Sequence, residues 1–138
     1  MIPSGYDYFD HDADIGIIGH GDTVEHAFEA AAVATFAIMA DPAEVRPLTE
    51  AKIEFEEADL EFALVNWLNL LLATARERGL IFSRFRLSRE RNRWRGEAGG
   101  EAWRADLSPG VEVKGATLTM LKVERRKDGW EARCVVDV

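Results

Sequence analysis

The chain has 138 residues, which is enough for one domain with a buried core and too few for a second independent domain, so we expect a single domain over residues 1–138. Apolar residues make up 47% of the chain and charged residues 30%, as in soluble globular proteins. The formal net charge of -8 argues against a broad nucleic-acid-binding surface, because phosphate contacts require a surplus of basic residues.

Three features of the sequence predict a cytoplasmic protein. The single cysteine, Cys134, cannot form an internal disulfide, and its place in an apolar strand predicts a buried thiol. The N-terminus lacks a basic region followed by an apolar segment, so we expect no signal peptide. The longest apolar stretch, residues 27–40, contains Glu29 and is followed by Pro42, so we also expect no membrane span.

Near the N-terminus, Asp10, Asp12 and Asp14 occupy alternate positions. An extended backbone places alternate side chains on one side, so we expect these carboxylates to converge at a strand end. Because converging carboxylates repel, a hard cation such as Ca²⁺ or Mg²⁺ is the first ligand to consider. Solvated turn carboxylates are the alternative. An EF-hand is excluded, since Ile15 occupies the position of the required glycine and Gly21 that of the required glutamate.

The first half of the chain predicts two strands, two helices and a further strand. Strands are expected over residues 6–9 and 13–19, followed by a helix over residues 24–40, with Asp22 as its N-cap and Glu25 at its third position. Strict alternation over residues 51–56 predicts a half-buried strand. A leucine-rich stripe predicts a second helix that begins at about Asp59 and ends at Gly79.

After Gly79 the apolar pattern has period two, which predicts strands over residues 80–88, 92–98, 101–107, 111–124 and 129–138. Short turns between successive strands favour antiparallel pairing. We therefore expect an α+β two-layer sandwich, a mostly antiparallel sheet with two main helices packed on one face. Trp94 and Trp103 are expected in its core or as hairpin partners.

Two further charged residues stand in segments that are otherwise strand-like. Lys114 lies in the middle of the predicted strand over residues 111–124, and Asp137 is next to last in an apolar strand. Asp137, Asp14 and the terminal carboxylate of Val138 could supply oxygen ligands to one cation, while Lys114 offsets excess negative charge or contacts an anion. For Lys114, a solvated lysine without a functional role is the alternative.

In addition, the chain resembles the archease family over nearly its whole length. The matching segments, in order, are residues 10–15 (DHDADI), 21–28 (GDTVEHAF), 67–69 (WLN), 113–117 (VKGAT) and 135–138 (VVDV). The resemblance implies metal-binding or functional positions at Asp14, Lys114 and Asp137. With the residues singled out above, the candidate metal ligands are Asp14, Asp137, Val138 and Asp12, and the candidate partner-activating residues are Lys114 and His11.

Archeases are small acidic proteins that activate the RtcB-type RNA ligase of tRNA splicing and RNA repair. The resemblance therefore implies an accessory protein that promotes GTP-dependent guanylylation of the ligase and its multiple turnover, with no catalytic cycle of its own. It implies a divalent metal ion, Ca²⁺ first, with Mg²⁺ or Mn²⁺ as alternatives. The ligase is the expected partner, GTP is met only through it, and direct binding to nucleic acid or membranes is not expected.

Two other functions stay open on the sequence. One is a calcium-binding or chaperone-like module for another protein partner. The other is a metal-dependent hydrolase in which Asp14 and Asp137 activate water and His11 is the nearby candidate for a base.

The sequence departs from the family pattern at three positions. Asp12 stands where the family usually has Thr, Leu70 where an acidic residue is common, and Ser108 where His is frequent. We expect the carboxylate of Asp12 to compensate in part for the missing acid at Leu70.

Overall fold

The computed structural model describes residues 5–138, which contain two helices and eight strands. In chain order they are β1 (Tyr6–His11), β2 (Asp14–Gly21), α1 (Val24–Ala37), β3 (Thr49–Glu56), α2 (Leu60–Arg78), β4 (Leu80–Glu90), β5 (Arg93–Ala102), β6 (Gly115–Ala116), β7 (Lys122–Arg126) and β8 (Gly129–Asp137). A short 3-10 turn spans Pro42–Glu44. The predicted α+β class is confirmed.

The strands form two antiparallel sheets, whereas the sequence predicted one. Sheet A has the order β1-β2-β8-β6, with β7 also paired to β8, and sheet B has the order β3-β5-β4. The β2–β8 pairing runs from Gly21 opposite Trp130 to Ile15 opposite Val136. This pairing brings the first and last parts of the described chain into one sheet.

Local capping chemistry sets the helix boundaries. The side chain of Thr23 accepts the His26 N–H at the start of α1, so Thr23 is the N-cap and the prediction of Asp22 was wrong. The Asp22 carboxylate instead bonds the imidazole of His26. Helix α2 begins after the N-cap Asp59 and ends at Gly79, whose φ of 66° is left-handed; both predictions are confirmed.

The main chains of helix α1 and strand β2 are in direct contact, because Gly19 and Gly21 of the strand face the helix. A Cβ at Gly19 would clash with the main chain of Ala27 and Ala31. Around this contact lies one buried core, in which the indole N–H of Trp67 donates to the Phe28 carbonyl (3.0 Å). No helix within residues 5–138 is long and apolar enough to cross a membrane.

Beyond β4 the strand boundaries differ from the prediction. Strand β5 continues through Gly99 and Gly100, where a turn was expected, because Gly100 lies against the main chain of Ile81 with no room for a side chain. Residues 103–114 form no regular element, and Trp103 is 48% exposed, so it is neither a core residue nor a hairpin partner. Trp94 is buried, as predicted.

The prediction of one long strand over residues 111–124 was also wrong. Only β6 and β7 pair with β8 there, and residues 117–121 between them form a bulge. Ala116 is opposite Val136 and Lys122 is opposite Arg133, so this side of the pair contains extra residues that β8 does not match. An alternating sequence does not distinguish a continuous strand from one interrupted in this way.

Candidate functional site

Strand ends from β1, β2, β8 and β6 lie side by side at one end of sheet A. His11 is opposite Asp14 in the β1–β2 hairpin, and Gly115 is opposite Asp137 between β6 and β8. The β2–β8 register, continued by one residue from its last pair, sets Asp14 opposite Asp137. Residues directly opposite each other in an antiparallel pair share a face, so the two carboxylates lie on the same face. We call these four residues the strand-end row.

A side-chain contact also joins the start of β2 to the residue that follows β8. The Oδ1 atom of Asp14 accepts a hydrogen bond from the main-chain N–H of Val138 at 3.2 Å. The structure thus brings Asp14, Asp137 and Val138 together, although they come from opposite ends of the described chain.

The row lies on the face of sheet A that points away from the helices. The neighbouring pair, Ile15 and Val136, packs into the core on the helix side, so strand alternation turns Asp14 and Asp137 outward. Asp14 is partly buried and Asp137 is exposed. On the same outer face, the next row inward is apolar: a Cβ at Gly16 would meet the Phe9 ring, and Val135 is buried.

The expected convergence of Asp10, Asp12 and Asp14 is wrong. Asp10 is opposite Ile15, so its side chain lies on the other face of the sheet from Asp14. Asp12 belongs to the two-residue turn of the hairpin, with φ 53° and a side chain that is 92% exposed. The Asp12 carboxylate lies 3.9 Å from Nδ1 of His11. Within residues 5–138, no three His, Cys, Asp or Glu side chains form a group that could hold a metal ion.

Lys114 reaches the row through its main chain. Its N–H donates to the Asp137 carbonyl at 2.8 Å, and its own carbonyl accepts from Nη2 of Arg76 at 3.1 Å. Lys114 precedes β6 and is not the middle residue of a long strand. Its side chain is exposed and makes no ion pair within 4.0 Å among the residues that the structure describes. The ammonium group is therefore accessible to solvent, while the main chain of Lys114 is bonded to Asp137 of the row.

Asn69 was missed as a positioning residue. Its side-chain amide bonds both main-chain groups of Ala116, accepting from the N–H at 2.8 Å and donating to the carbonyl at 3.2 Å. Together with Arg76, it holds β6 and Lys114 against α2. A polar residue within the predicted leucine stripe was the available signal.

Leu70 and Ser108, two of the three positions at which the sequence departs from the expected pattern, lie at separate places. Leu70 is on α2 beside Asn69 and is 38% exposed. The N–H and hydroxyl of Ser108 both donate to the Glu44 carboxylate, at 3.0 and 3.1 Å. Ser108 therefore ties its loop to the 3-10 turn.

The oxygen donors of the row and of the neighbouring Val138 suit a hard cation better than a soft one. The carboxylates of Asp14 and Asp137 and a main-chain oxygen of Val138 are oxygen ligands, which Ca²⁺ and Mg²⁺ prefer and supplement with water. The row contains one imidazole, that of His11, and no thiol, which does not match the ligands of a structural zinc site.

Comparisons with known proteins agree with this arrangement of the fold. Residues 6–138 match the Archease protein family (MTH1598/TM1083). The chain is 38% identical to the protein archease of Pyrococcus furiosus, covering 96% of this chain and 98% of that relative. It is 35% identical to the protein archease of Methanosarcina mazei, covering 96% and 95% of the two chains.

Two solved structures share the fold. The solution structure of Methanobacterium thermoautotrophicum protein 1598 matches with a TM-score of 0.88 and 28% identity, covering 99% of this chain and 100% of that one. The crystal structure of a Thermotoga maritima archease, described as a possible chaperone, matches with a TM-score of 0.65 and 22% identity over 94% of each chain. The chain belongs to the archease family.

Proposed function

We propose that this protein is a metal-binding accessory factor that activates an RtcB-type RNA ligase in tRNA splicing and RNA repair. It promotes GTP-dependent guanylylation of the ligase and its multiple turnover, in the cytoplasm, and has no reaction of its own. Family membership supports the role. The observation that carries it is the meeting of Asp14 with Val138 and Asp137, which sets two carboxylates side by side on one exposed face.

The strand-end row is the proposed metal site. Two adjacent carboxylates repel each other, and a bound cation removes that repulsion. Asp14, Asp137 and a main-chain oxygen of Val138 hold the ion, and the exposed side chain of Asp12 in the flanking turn would swing toward it to supply a further carboxylate. Ca²⁺ is the first choice, with Mg²⁺ or Mn²⁺ as alternatives, and water or a partner oxygen completes the coordination.

Lys114 and His11 are the proposed contacts to the ligase. The main chain of Lys114 is bonded to Asp137 and its side chain is exposed, and His11 forms the outer end of the row. The net charge of -8 favours docking to a basic, RNA-binding partner and speeds association at low ionic strength. Nucleic acid and GTP are contacted by the ligase and not by this protein.

A guanylylation assay with the ligase of the same organism tests the proposal. Transfer of labelled GMP to the ligase is followed with and without this protein, in the presence of Ca²⁺, Mg²⁺ or Mn²⁺. Asp14→Ala and Asp137→Ala should each abolish stimulation without lowering thermal stability, and Lys114→Glu should impair stimulation more than stability. Asp128→Ala, in an exposed turn far along β8 from the row, is the control. Normal stimulation by either row variant contradicts the assignment.

A chaperone-like module for another protein partner is the second candidate. It is favoured by the description of the Thermotoga maritima archease as a possible chaperone. Suppression of heat aggregation of an unrelated protein separates the two functions. Protection that is independent of divalent ions, together with no effect on guanylylation, would favour the chaperone.

A further inference from the structure

Strand β1 leaves one edge of sheet A open. The N–H of His20 donates to the Gly5 carbonyl at 2.8 Å, so alternate residues from Gly5 to His11 form the hydrogen bonds to β2. The main-chain groups of the residues between them point away from β2; these residues are Tyr6, Tyr8 and Asp10. Within residues 5–138, no other strand pairs with β1, and no hydrogen bond reaches these outward groups.

Other edges of the two sheets have features that discourage the addition of a strand. On the β6 edge, Asn69 occupies both main-chain groups of Ala116. On β4, the Glu29 carboxylate accepts the N–H of Leu87 at 2.8 Å. On β3, the residues with outward main-chain groups are all charged: Glu50, Lys52, Glu54 and Glu56. Side-chain caps and charged edge residues are the usual protection against edge pairing.

The open edge is rigid and partly aromatic. Tyr6 and Tyr8 are 38% and 44% exposed, and their rings meet edge to face at 5.7 Å. The Tyr8 hydroxyl donates to the Ala34 carbonyl of α1 at 2.7 Å, which fixes this side chain. Exposed tyrosines on ordered backbone are typical of protein interfaces.

The charges of the hairpin indicate the kind of strand that fits. Strand β1 carries Asp7, whose carboxylate hydrogen-bonds with Nε2 of His20 at 3.0 Å, and Asp10, with no Lys or Arg, and Asp12 follows in the turn. A strand with basic side chains would therefore meet opposite charges, which stabilises cross-strand pairs. A second copy would bring the same carboxylates and another net charge of -8, so pairing between copies is disfavoured.

We propose that the open edge of β1 binds an extended, Lys- or Arg-rich segment of a partner protein, which adds to sheet A as a further strand. Main-chain hydrogen bonds from Tyr6, Tyr8 and Asp10 provide the binding, and the flanking carboxylates select for basic side chains. The residues that provide the outward main-chain groups, Tyr6, Tyr8 and Asp10, are not among the proposed metal ligands, and the surface does not depend on the identity of the ligase.

Binding of a fluorescein-labelled peptide of alternating Lys and Val to the full chain tests the inference by fluorescence anisotropy. A Glu–Val peptide of equal length is the charge control. Tyr6→Pro removes one outward N–H without removing a hydrogen bond to β2, and Tyr6→Val keeps that N–H. We expect Tyr6→Pro to weaken binding roughly fivefold or more relative to Tyr6→Val. If Tyr6→Pro does not fold, Asp10→Pro against Asp10→Asn is the same comparison.

Amide exchange measured by NMR locates the peptide. The amides of Tyr6, Tyr8 and Asp10 should become protected when the Lys–Val peptide binds, and binding should weaken as salt is raised. The inference is overturned if the peptide does not bind, if it binds equally to the proline and valine variants, or if protection appears elsewhere. Concentration-dependent self-association that Tyr6→Pro abolishes would instead identify a second copy as the occupant and overturn the choice of a basic partner.

Discussion

Asn69 connects α2 to the short strand that follows Lys114, and it does so through both polar atoms of one side chain. Its amide satisfies the N–H and the carbonyl of Ala116, which face α2 and have no strand partner on that side. A residue of this kind is easily overlooked in a sequence, because its role depends on a strand more than forty positions away.

Asn69→Ala should lower the free energy of unfolding by about 2 kcal/mol, since it removes two hydrogen bonds and leaves both groups of Ala116 unpaired. Urea denaturation measures the change. Asn66→Ala is the control, because its amide makes one long bond of 3.5 Å to Glu57, and its cost should stay below about 0.5 kcal/mol. Equal losses in the two variants would show that the two hydrogen bonds between Asn69 and Ala116 do not stabilise β6.

A substitution can test whether the carboxylate of Asp12 compensates for the missing acid at Leu70. Asp12 has φ 53°, a conformation that strains a β-branched residue such as Thr and that Asn tolerates. Asp12→Asn therefore removes the charge without backbone strain and should weaken Ca²⁺ binding roughly fivefold, because affinity follows the number of ligand charges. Unchanged affinity, measured by calorimetry, would leave Asp12 as a solvated turn residue.

At the scale of elements, the helix ends followed directly from the sequence because their chemistry is local. Asp59 and Gly79 bound α2 through contacts within a few residues, and both were predicted. The division of residues 111–124 into β6, a bulge and β7 was not predicted, since it depends on the register with β8. Likewise, Gly100 was read as a turn residue, but it lies in a strand where another main chain approaches.

Packing of α1 on β2 requires the absence of a side chain at Gly19. In Gly19→Ala, the new methyl group meets main-chain atoms of Ala27 and Ala31, which cannot move aside without displacing the helix. We expect a loss of at least about 3 kcal/mol in the free energy of unfolding. In the control, Gly99→Ala, the methyl group finds Pro47 and Arg84 at 3.6 and 3.7 Å, and stability should change by less than about 1 kcal/mol. Thermal and urea unfolding distinguish the two.

At the scale of the whole molecule, a buried carboxylate ties together loops that precede β3 and follow β5. Glu101 is 3% exposed; it accepts the main-chain N–H of Arg46 at 2.6 Å and binds the guanidinium groups of Arg46 and Arg104. These bonds lower the pKa of Glu101 from 4.5 to about 2. Because the folded-state pKa is depressed, this stabilisation is complete above pH 4.5 and is lost as the pH falls toward 2.

Glu101→Gln should therefore be less stable than the wild-type protein at pH 7, and the difference should shrink as the pH is lowered from 4.5 toward 2. Urea unfolding across this pH range measures the difference. Glu97→Gln, half-buried on the same strand opposite Lys52, is the control variant for the substitution itself. A constant difference at all pH values would mean that the charge of Glu101 does not contribute.

The candidate site could be predicted in part. Asp14, Lys114 and Asp137 were found through unusual charges in strand-like segments and through family resemblance, and the structure brings them to one end of sheet A. The predicted convergence of the acidic turn was wrong, because a hairpin reversal at Asp12 separates carboxylates that an extended strand would align. Whether two distant segments pair is a tertiary property that local sequence does not show. Here the pairing of β8 with β2 brings Asp14 and Asp137 to the same end of the sheet.

Calcium binding measured by isothermal titration calorimetry tests most directly whether acids from both ends of the chain share one cation. We expect one site in the wild-type protein, with affinity reduced roughly tenfold or more in both Asp14→Asn and Asp137→Asn and unchanged in Asp128→Asn. Wild-type affinity in either of the first two variants would contradict the shared site.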